Sequence, residues 1–189
     1  KETLEDNGTE QYAGGQASEA AITATDTLDG LEIRKATRTL KLNKALKFEN
    51  GKFRAIVPVS CVHDLRGDSE WLDAHKYVGQ ADAIRADMLG TLHGVEFFET
   101  NNESINADAG AGNVDTYSTF VFGKSAYGIV DIAGQSTPKV IVKNPSDSDT
   151  SNPLNMFSTV GWRVTFAATV LNADWIVEIL AASSVGANS

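Results

Sequence analysis

Leu31, Ile33, Ala36 and Leu40 fall at helical spacing, a narrow apolar stripe with basic residues on the remaining faces. Just ahead of it, Asp29-Gly30-Leu31-Glu32 has the form of a capping box, with Asp29 as N-cap and Glu32 reaching back from the third helical position. Together they predict a helix over residues 29–42, and Asn50-Gly51 marks a turn beyond it. Residues 53–59 alternate loosely and contain Pro58, which predicts a strand that ends early or lies at an edge. Two short helices follow, the first capped by Ser60, the second by Asp68 or Ser69, with Gly67 between them. Thr91-Leu92-His93-Gly94 is a glycine-broken turn running into a strand at residues 95–100. Residues 116–122 and 139–143 read as further strands, with a short helix near residues 124–127 between them. Residues 160–171 and 175–180, joined through Asn172-Ala173-Asp174, predict a terminal hairpin. Residues 22–26 are short and extended, residues 78–90 irregular with one helical turn, and residues 101–113 and 146–155 polar, mobile or exposed loops. Helices and strands interleave irregularly, which predicts an α+β protein with a mixed sheet flanked by helices. Trp71, Phe97, Phe120, Phe122, Trp162, Phe166 and Trp175 are the aromatics expected in its core.

Residues 1–18 are polar and carry Gly14-Gly15, so they are expected to pack poorly. Residues 1–4 have the character of the end of a helix whose body lies upstream, and Lys1 in place of an initiator methionine suggests the same. A chain of 189 residues fits one domain, or one domain with an arm, and buries roughly 70% of its unfolded surface without help from a disulfide or metal. The single Cys61 excludes an intramolecular disulfide and fits a reducing compartment. No apolar run approaches the roughly 20 residues of a membrane span, and no signal peptide opens the sequence.

The net charge of −9 is spread unevenly. Residues 1–30 hold one lysine and seven acids, a net −6. Residues 31–54 hold eight basic groups against Glu32 and Glu49, a net +6, and residues 55–189 return to −9 with seven basic and sixteen acidic groups. Arg34, Arg38, Lys41 and Lys44 recur every three to four residues, which places them on one face of the helix after Asp29. A basic stripe inside an acidic chain suits nucleic acid or an acidic neighbouring subunit; the plainer reading is a solvated helix face.

Candidate chemistry is concentrated in residues 60–77 and 91–100 but does not assemble into a recognisable site. Cys61, His63 and His75 fall short of a structural zinc set, which takes four ligands in two close pairs. A Cys/His nucleophilic pair needs only spatial proximity, yet Cys61 directly after a strand reads more simply as a small apolar filler. Trp71 and His75, four apart, share a helix face and suit ring packing better than catalysis. Asp147-x-Asp149 opens like a calcium loop, but Asn152 and Ser158 stand where that loop needs glycine and glutamate. Gly110 and Gly112 lack the rest of a phosphate-binding fingerprint. Arg66-Gly67-Asp68 matches an adhesion tripeptide, but a helix boundary at Gly67 and a cap at Asp68 explain it structurally.

The order of the blocks says more than any one of them. A capped helix at residues 29–42 leads to Ile56-Val57-Pro58, then His63-Asp64-Leu65-Arg66 and Trp71-Leu72-Asp73-Ala74-His75-Lys76-Tyr77. Leu92-His93-Gly94-Val95-Glu96-Phe97-Phe98-Glu99-Thr100, Val114-Asp115-Thr116-Tyr117, Phe122-Gly123-Lys124 and Ser158-Thr159-Val160-Gly161-Trp162 follow in turn. Over roughly residues 12–180 this resembles the major capsid proteins of tailed phages, in the family grouped with the coat protein of the N-four-like podophages. The resemblance implies the Hong Kong ninety-seven type coat fold, shared with encapsulins and herpesvirus capsid floors. It implies residues 1–18 as a polar segment trailing an upstream spine helix, residues 19–158 as the axial domain, and residues 159–189 as C-terminal strands of the peripheral domain with a tail. The N-terminal arm, extended hairpin loop and spine helix usual in that family are not in this sequence, residues 1–4 excepted. The implied function is a virion structural subunit, made in the bacterial host cytoplasm and self-assembling into hexamers and pentamers around double-stranded DNA. No catalytic residue, cofactor, metal or membrane enters, and packaged DNA is touched only non-specifically. Arg34, Arg38, Lys41 and Lys44 are then the candidate subunit contact. The alternatives are an encapsulin-like shell, a small hydrolase using Cys61 or His75, and an adhesion module acting through residues 66–68.

Overall fold

The computed structural model describes residues 8–76, 89–130, 137–144, 154 and 156–185. The chain divides into a sheet unit, Lys1–Tyr127 with Val170–Ser189, and a second unit, Gly128–Thr169.

The sheet unit is built around β6 (Thr116–Phe122) and β11 (Ile176–Ala181), two runs buried at every position. Strands with no exposed face belong in the interior of a sheet covered on both sides. Here β11 lies antiparallel to β6 and parallel to β1 (Thr9–Tyr12). On the other side of β6 runs β2 (Phe53–Pro58), antiparallel to it and parallel to β4 (Val95–Thr100). β3 (Thr91–Leu92) closes that edge against β4, and β5 (Ile105–Asn106) pairs with β6. The result is a mixed sheet, as the irregular interleaving predicts.

Period-two alternation sorts its two faces. Val177, Ile179 and Ala181 of β11 and Val121 of β6 join Ala55 and Val57 in one core. Into it pack Ile33, Ala36 and Leu40 of α1 (Gly30–Leu42), Cys61, Val62 and Leu65 of α2 (Val59–Gly67), and Trp71 of α3 (Ser69–Lys76). On the opposite face Phe120, Phe122 and Ile176 are covered by Phe48, Tyr127 and Trp175. Leu180 there meets Ile22, Val114 and Tyr12. Helices cover one face and irregular chain the other.

Several expectations are corrected. Residues 9–12 form β1 on the sheet edge and Ala13 is wholly buried, because β11 offers a parallel edge to pair with, while Thr9, Glu10, Gly14, Gly15, Ala17 and Ser18 stay exposed. Residues 1–7 lie outside the described residues. The strand at residue 53 does end at Pro58, but it runs inside the sheet rather than along an edge. Residues 124–126 form a turn, not a helix, and Tyr127 opens a strand; Ser125 has a φ of 62° and the N–H of Lys124 donates to Leu46 O. The loop at residues 101–113 is pinned by β5 and by the Ala111 N–H donating to Ile22 O. The terminal hairpin does not form. Trp175 is half-buried beside β11, whose partners are β6 and β1, because a strand buried at every position needs neighbours on both sides.

The second unit holds β7 (Tyr127–Val130) paired with β10 (Ala167–Val170), and β8 (Lys139–Lys143) antiparallel to β9 (Thr159–Arg163). Trp162 and Phe166, expected in the core, are exposed there: Trp162 stands on a two-stranded ladder that has no layer beneath it among the described residues, and Phe166 lies between β9 and β10. Trp71, Phe97, Phe120 and Phe122 are buried as expected.

Candidate functional site

α1 is where the concentrated positive charge is placed. Its start is fixed by Asp29, whose side chain accepts from the Glu32 N–H at 2.9 Å. The capping box is only half formed: Glu32 is buried and accepts from Gln11 Nε2 and Lys35 Nζ instead of reaching back. β1 brings Gln11 alongside, a partner that no local pattern announces. Asp68, the cap expected for α3, accepts from the Glu70 N–H at 3.4 Å and from the Gly30 N–H at 2.9 Å, so one carboxylate serves two helix starts. The far end of α1 is tied by the Asn43 side-chain amide donating to Asp174 O and the Trp175 indole donating to Asn43 O.

With Ile33, Ala36 and Leu40 facing the core, Arg34, Arg38 and Lys41 must face outward, and they line a depression with Thr37, Leu42 and His93. Arg34 Nη1 lies 3.3 Å from Glu70 Oε1, and His93 Nε2 approaches the same oxygen at 3.2 Å without hydrogen-bond alignment. Among the described residues neither Arg38 nor Lys41 has a carboxylate partner. Thr37 Oγ1 is buried in the same wall with no hydrogen-bond partner. Lys44 does not continue the stripe. It lies beyond the Asn43 C-cap with a φ of 54°, where the helix has already ended.

Glu70 and His93 escaped the sequence reading, although His93-Gly94 carried a signal. Thr91 pairs with Glu96 and Leu92 with Val95, so His93 and Gly94 are a two-residue hairpin turn, with φ values of 51° and 80°. That turn delivers His93 to the first turn of α3, beside Glu70.

The other candidates resolve into structural roles. Cys61 is wholly buried, and burial, reinforced by the Asp64 carboxylate, pushes its thiol up to about 12. His63 is exposed beside Asp64, and Asp64 accepts from the Ser184 N–H and hydroxyl, clamping the C-terminal segment to α2. Ser60 caps nothing; α2 begins after Pro58, and the Ser60 N–H and hydroxyl donate to Glu103 at 3.0 Å. Trp71 meets Phe97 edge-on at 5.5 Å, while the side chain of His75 lies outside the described residues, as do Asp147 and Asp149. Among the described residues no group of histidine, cysteine and acidic side chains is arranged to hold a metal, and no helix is long and apolar enough to cross a membrane.

No protein-family model matches the chain, and no curated protein matches it. Its fold, however, is shared. The capsid of Ralstonia phage GP4 superposes with a TM-score of 0.66 at 17% identity, covering 97% of this chain and 55% of that one. The cyanophage Pam1 capsid gives 0.66 at 18% identity, covering 88% and 50%. The Mycobacterium phage Che8 structure gives 0.60 at 22% identity, covering 94% and 54%. The chain thus has the Hong Kong ninety-seven type phage capsid fold implied by the order of its motifs, and it spans about half the length of these capsid chains. These matches do not single out the N-four-like family.

Proposed function

We propose that this chain is a structural subunit of a tailed-phage icosahedral capsid, assembling into hexamers and pentamers that enclose double-stranded DNA. The observation that carries the reading is a fold match running through 88–97% of the chain to several capsids of low sequence identity. The sheet unit then serves as the axial domain. Residues 159–169 belong to the second unit and residues 170–189 to the sheet unit, where β11 lies between β1 and β6. Its place is the virion, reached after synthesis in the host cytoplasm.

Arg38 and Lys41, with Arg34 and Lys44 beside them, serve as a contact for the acidic surface of a neighbouring subunit. Unpaired cations in an otherwise acidic chain steer association and fix register. Binding DNA along the same stripe would oppose its packaging and ejection. The hydrolase reading is disfavoured by Cys61, whose buried thiol stays protonated and out of reach of a substrate. Electron microscopy of the protein produced alone tests the proposal: closed shells are the expected result, and a soluble monomer at every salt and protein concentration refutes it.

A further inference from the structure

The depression beside α1 gathers more positive charge than the chain around it cancels. Arg34, Arg38 and Lys41 line it from successive turns, within about 10 Å along the helix axis. It holds about 490 Å³, room for a small ion and several waters at roughly 30 Å³ each. Glu70 is drawn to Arg34 and His93, and among the described residues no carboxylate reaches Arg38 or Lys41. Three cations less Glu70 leave a local +2 before His93 is counted. The wall adds a hydroxyl: Thr37 is 3% exposed, and its Oγ1 has no hydrogen-bond partner. A buried hydroxyl left unpaired is destabilising, and an oxygen ligand in the depression is the acceptor it lacks.

The geometry points to a binding site for a small oxyanion of the phosphate class, held by Arg38 and Lys41 with Arg34 and Thr37 beside them. Charge selects the class first. A phosphate group carries about −1.5 to −2 at pH 7 and matches the local +2, whereas a single carboxylate leaves one cation over. Donor shape agrees, because guanidinium forks take the paired oxygens of an oxyanion bidentately, an arrangement a halide cannot offer. The same group could arrive free or on a DNA backbone, and net charge separates the two. The chain carries −9, so its remaining surface repels an extended polyanion. A small ion inside the depression is screened from charges more than about 8 Å away at physiological salt. The free ion is the occupant. One consequence rests on the reading of the protein as a shell subunit: phosphate in the depression keeps the acids of a neighbouring copy from the same cations.

Calorimetric titration of the dissociated chain with sodium phosphate tests the site, with acetate and chloride at equal ionic strength as controls. Phosphate should bind one per chain, at least about tenfold more tightly than acetate. Arg38→Gln together with Lys41→Gln should weaken it at least about tenfold, with an unchanged melting temperature in chloride, since both residues are exposed. Thr37→Val keeps the shape and removes the hydroxyl; it should weaken phosphate about tenfold without lowering that melting temperature. No saturable phosphate binding, equal binding of acetate, or full binding by either variant overturns the site. Displacement of phosphate by a short DNA duplex gives the depression to the genome and overturns the free ion as its occupant. Phosphate should also slow the parent's assembly more than chloride of equal ionic strength, and equal rates overturn the competition. A chain that binds phosphate yet never assembles overturns the shell reading and leaves the ion site standing.

Discussion

Trp71 and Trp162 are the same residue type in opposite situations. Trp71 is buried against Phe97, so Trp71→Ala should cost about 3–5 kcal/mol in a denaturant titration. Trp162 is exposed, so Trp162→Ala should leave the melting temperature of the dissociated subunit unchanged. Hydrophobicity places both in a core; what separates them is that no layer supports β8 and β9 among the described residues, and no residue beside Trp162 in the sequence signals it. Asp26 shows the polar counterpart. Partial burial acts to raise its carboxyl pKa, but hydrogen bonds from the Thr23 N–H and hydroxyl and the Gln16 amide outweigh it and hold the group below its ordinary 3.8. A depressed folded pKa contributes stability that is present above the unfolded value and lost as pH falls through the folded one. Asp26→Asn should therefore flatten the acid limb of a stability–pH profile below about pH 4. Gly14 sits against the same carboxylate at a φ of 65°, and an added Cβ would fall 2.0 Å from Asp26 Oδ1. Gly14→Ala should destabilise by more than the roughly 1–2 kcal/mol of left-handed backbone alone, read by thermal melting.

α1 was legible from end to end in the sequence, since Asp29 is a local cap and Ile33, Ala36 and Leu40 a local stripe. Its tertiary attachments were not. Glu32 turns to Gln11, Gly30 to Asp68 and Asn43 to Asp174, each partner remote in sequence and brought near by the fold. The basic stripe was read correctly through Arg34, Arg38 and Lys41 and one residue too far, because helix spacing continues on paper past the Asn43 cap. Replacing Arg38, Lys41 and Lys44 together by Gln should slow or abort shell formation without nucleic acid, as followed by light scattering. The parent's assembly rate should also fall as salt screens the contact. Normal empty shells from the triple variant, with a defect confined to DNA filling, would move the stripe from the subunit interface to the genome.

At the scale of the molecule, the second unit is an insertion in the sequence between β6 and β11. The N–H groups of Leu171 and Asn172 both donate to Ala126 O, so the chain leaves and returns at one point. Replacing residues 131–166 by a short Gly/Ser linker should preserve a cooperative melt of the sheet unit, monitored by circular dichroism. The α+β class was visible in the pattern of segments; the position of β11 was not, because pairing across such a separation leaves no local trace. That position also has a consequence in time. β6 precedes β11 by roughly 50 residues, and at about 5–20 residues per second a ribosome needs roughly 3–10 s to make them. Throughout that interval β6 has β2 and β5 but not β11 beside it, and β1 has no strand to lie on. A nascent chain of this topology cannot present finished contact surfaces to its siblings on the same messenger. On the proposed reading as a shell subunit, the clock for joining a shell starts with the emergence of β11.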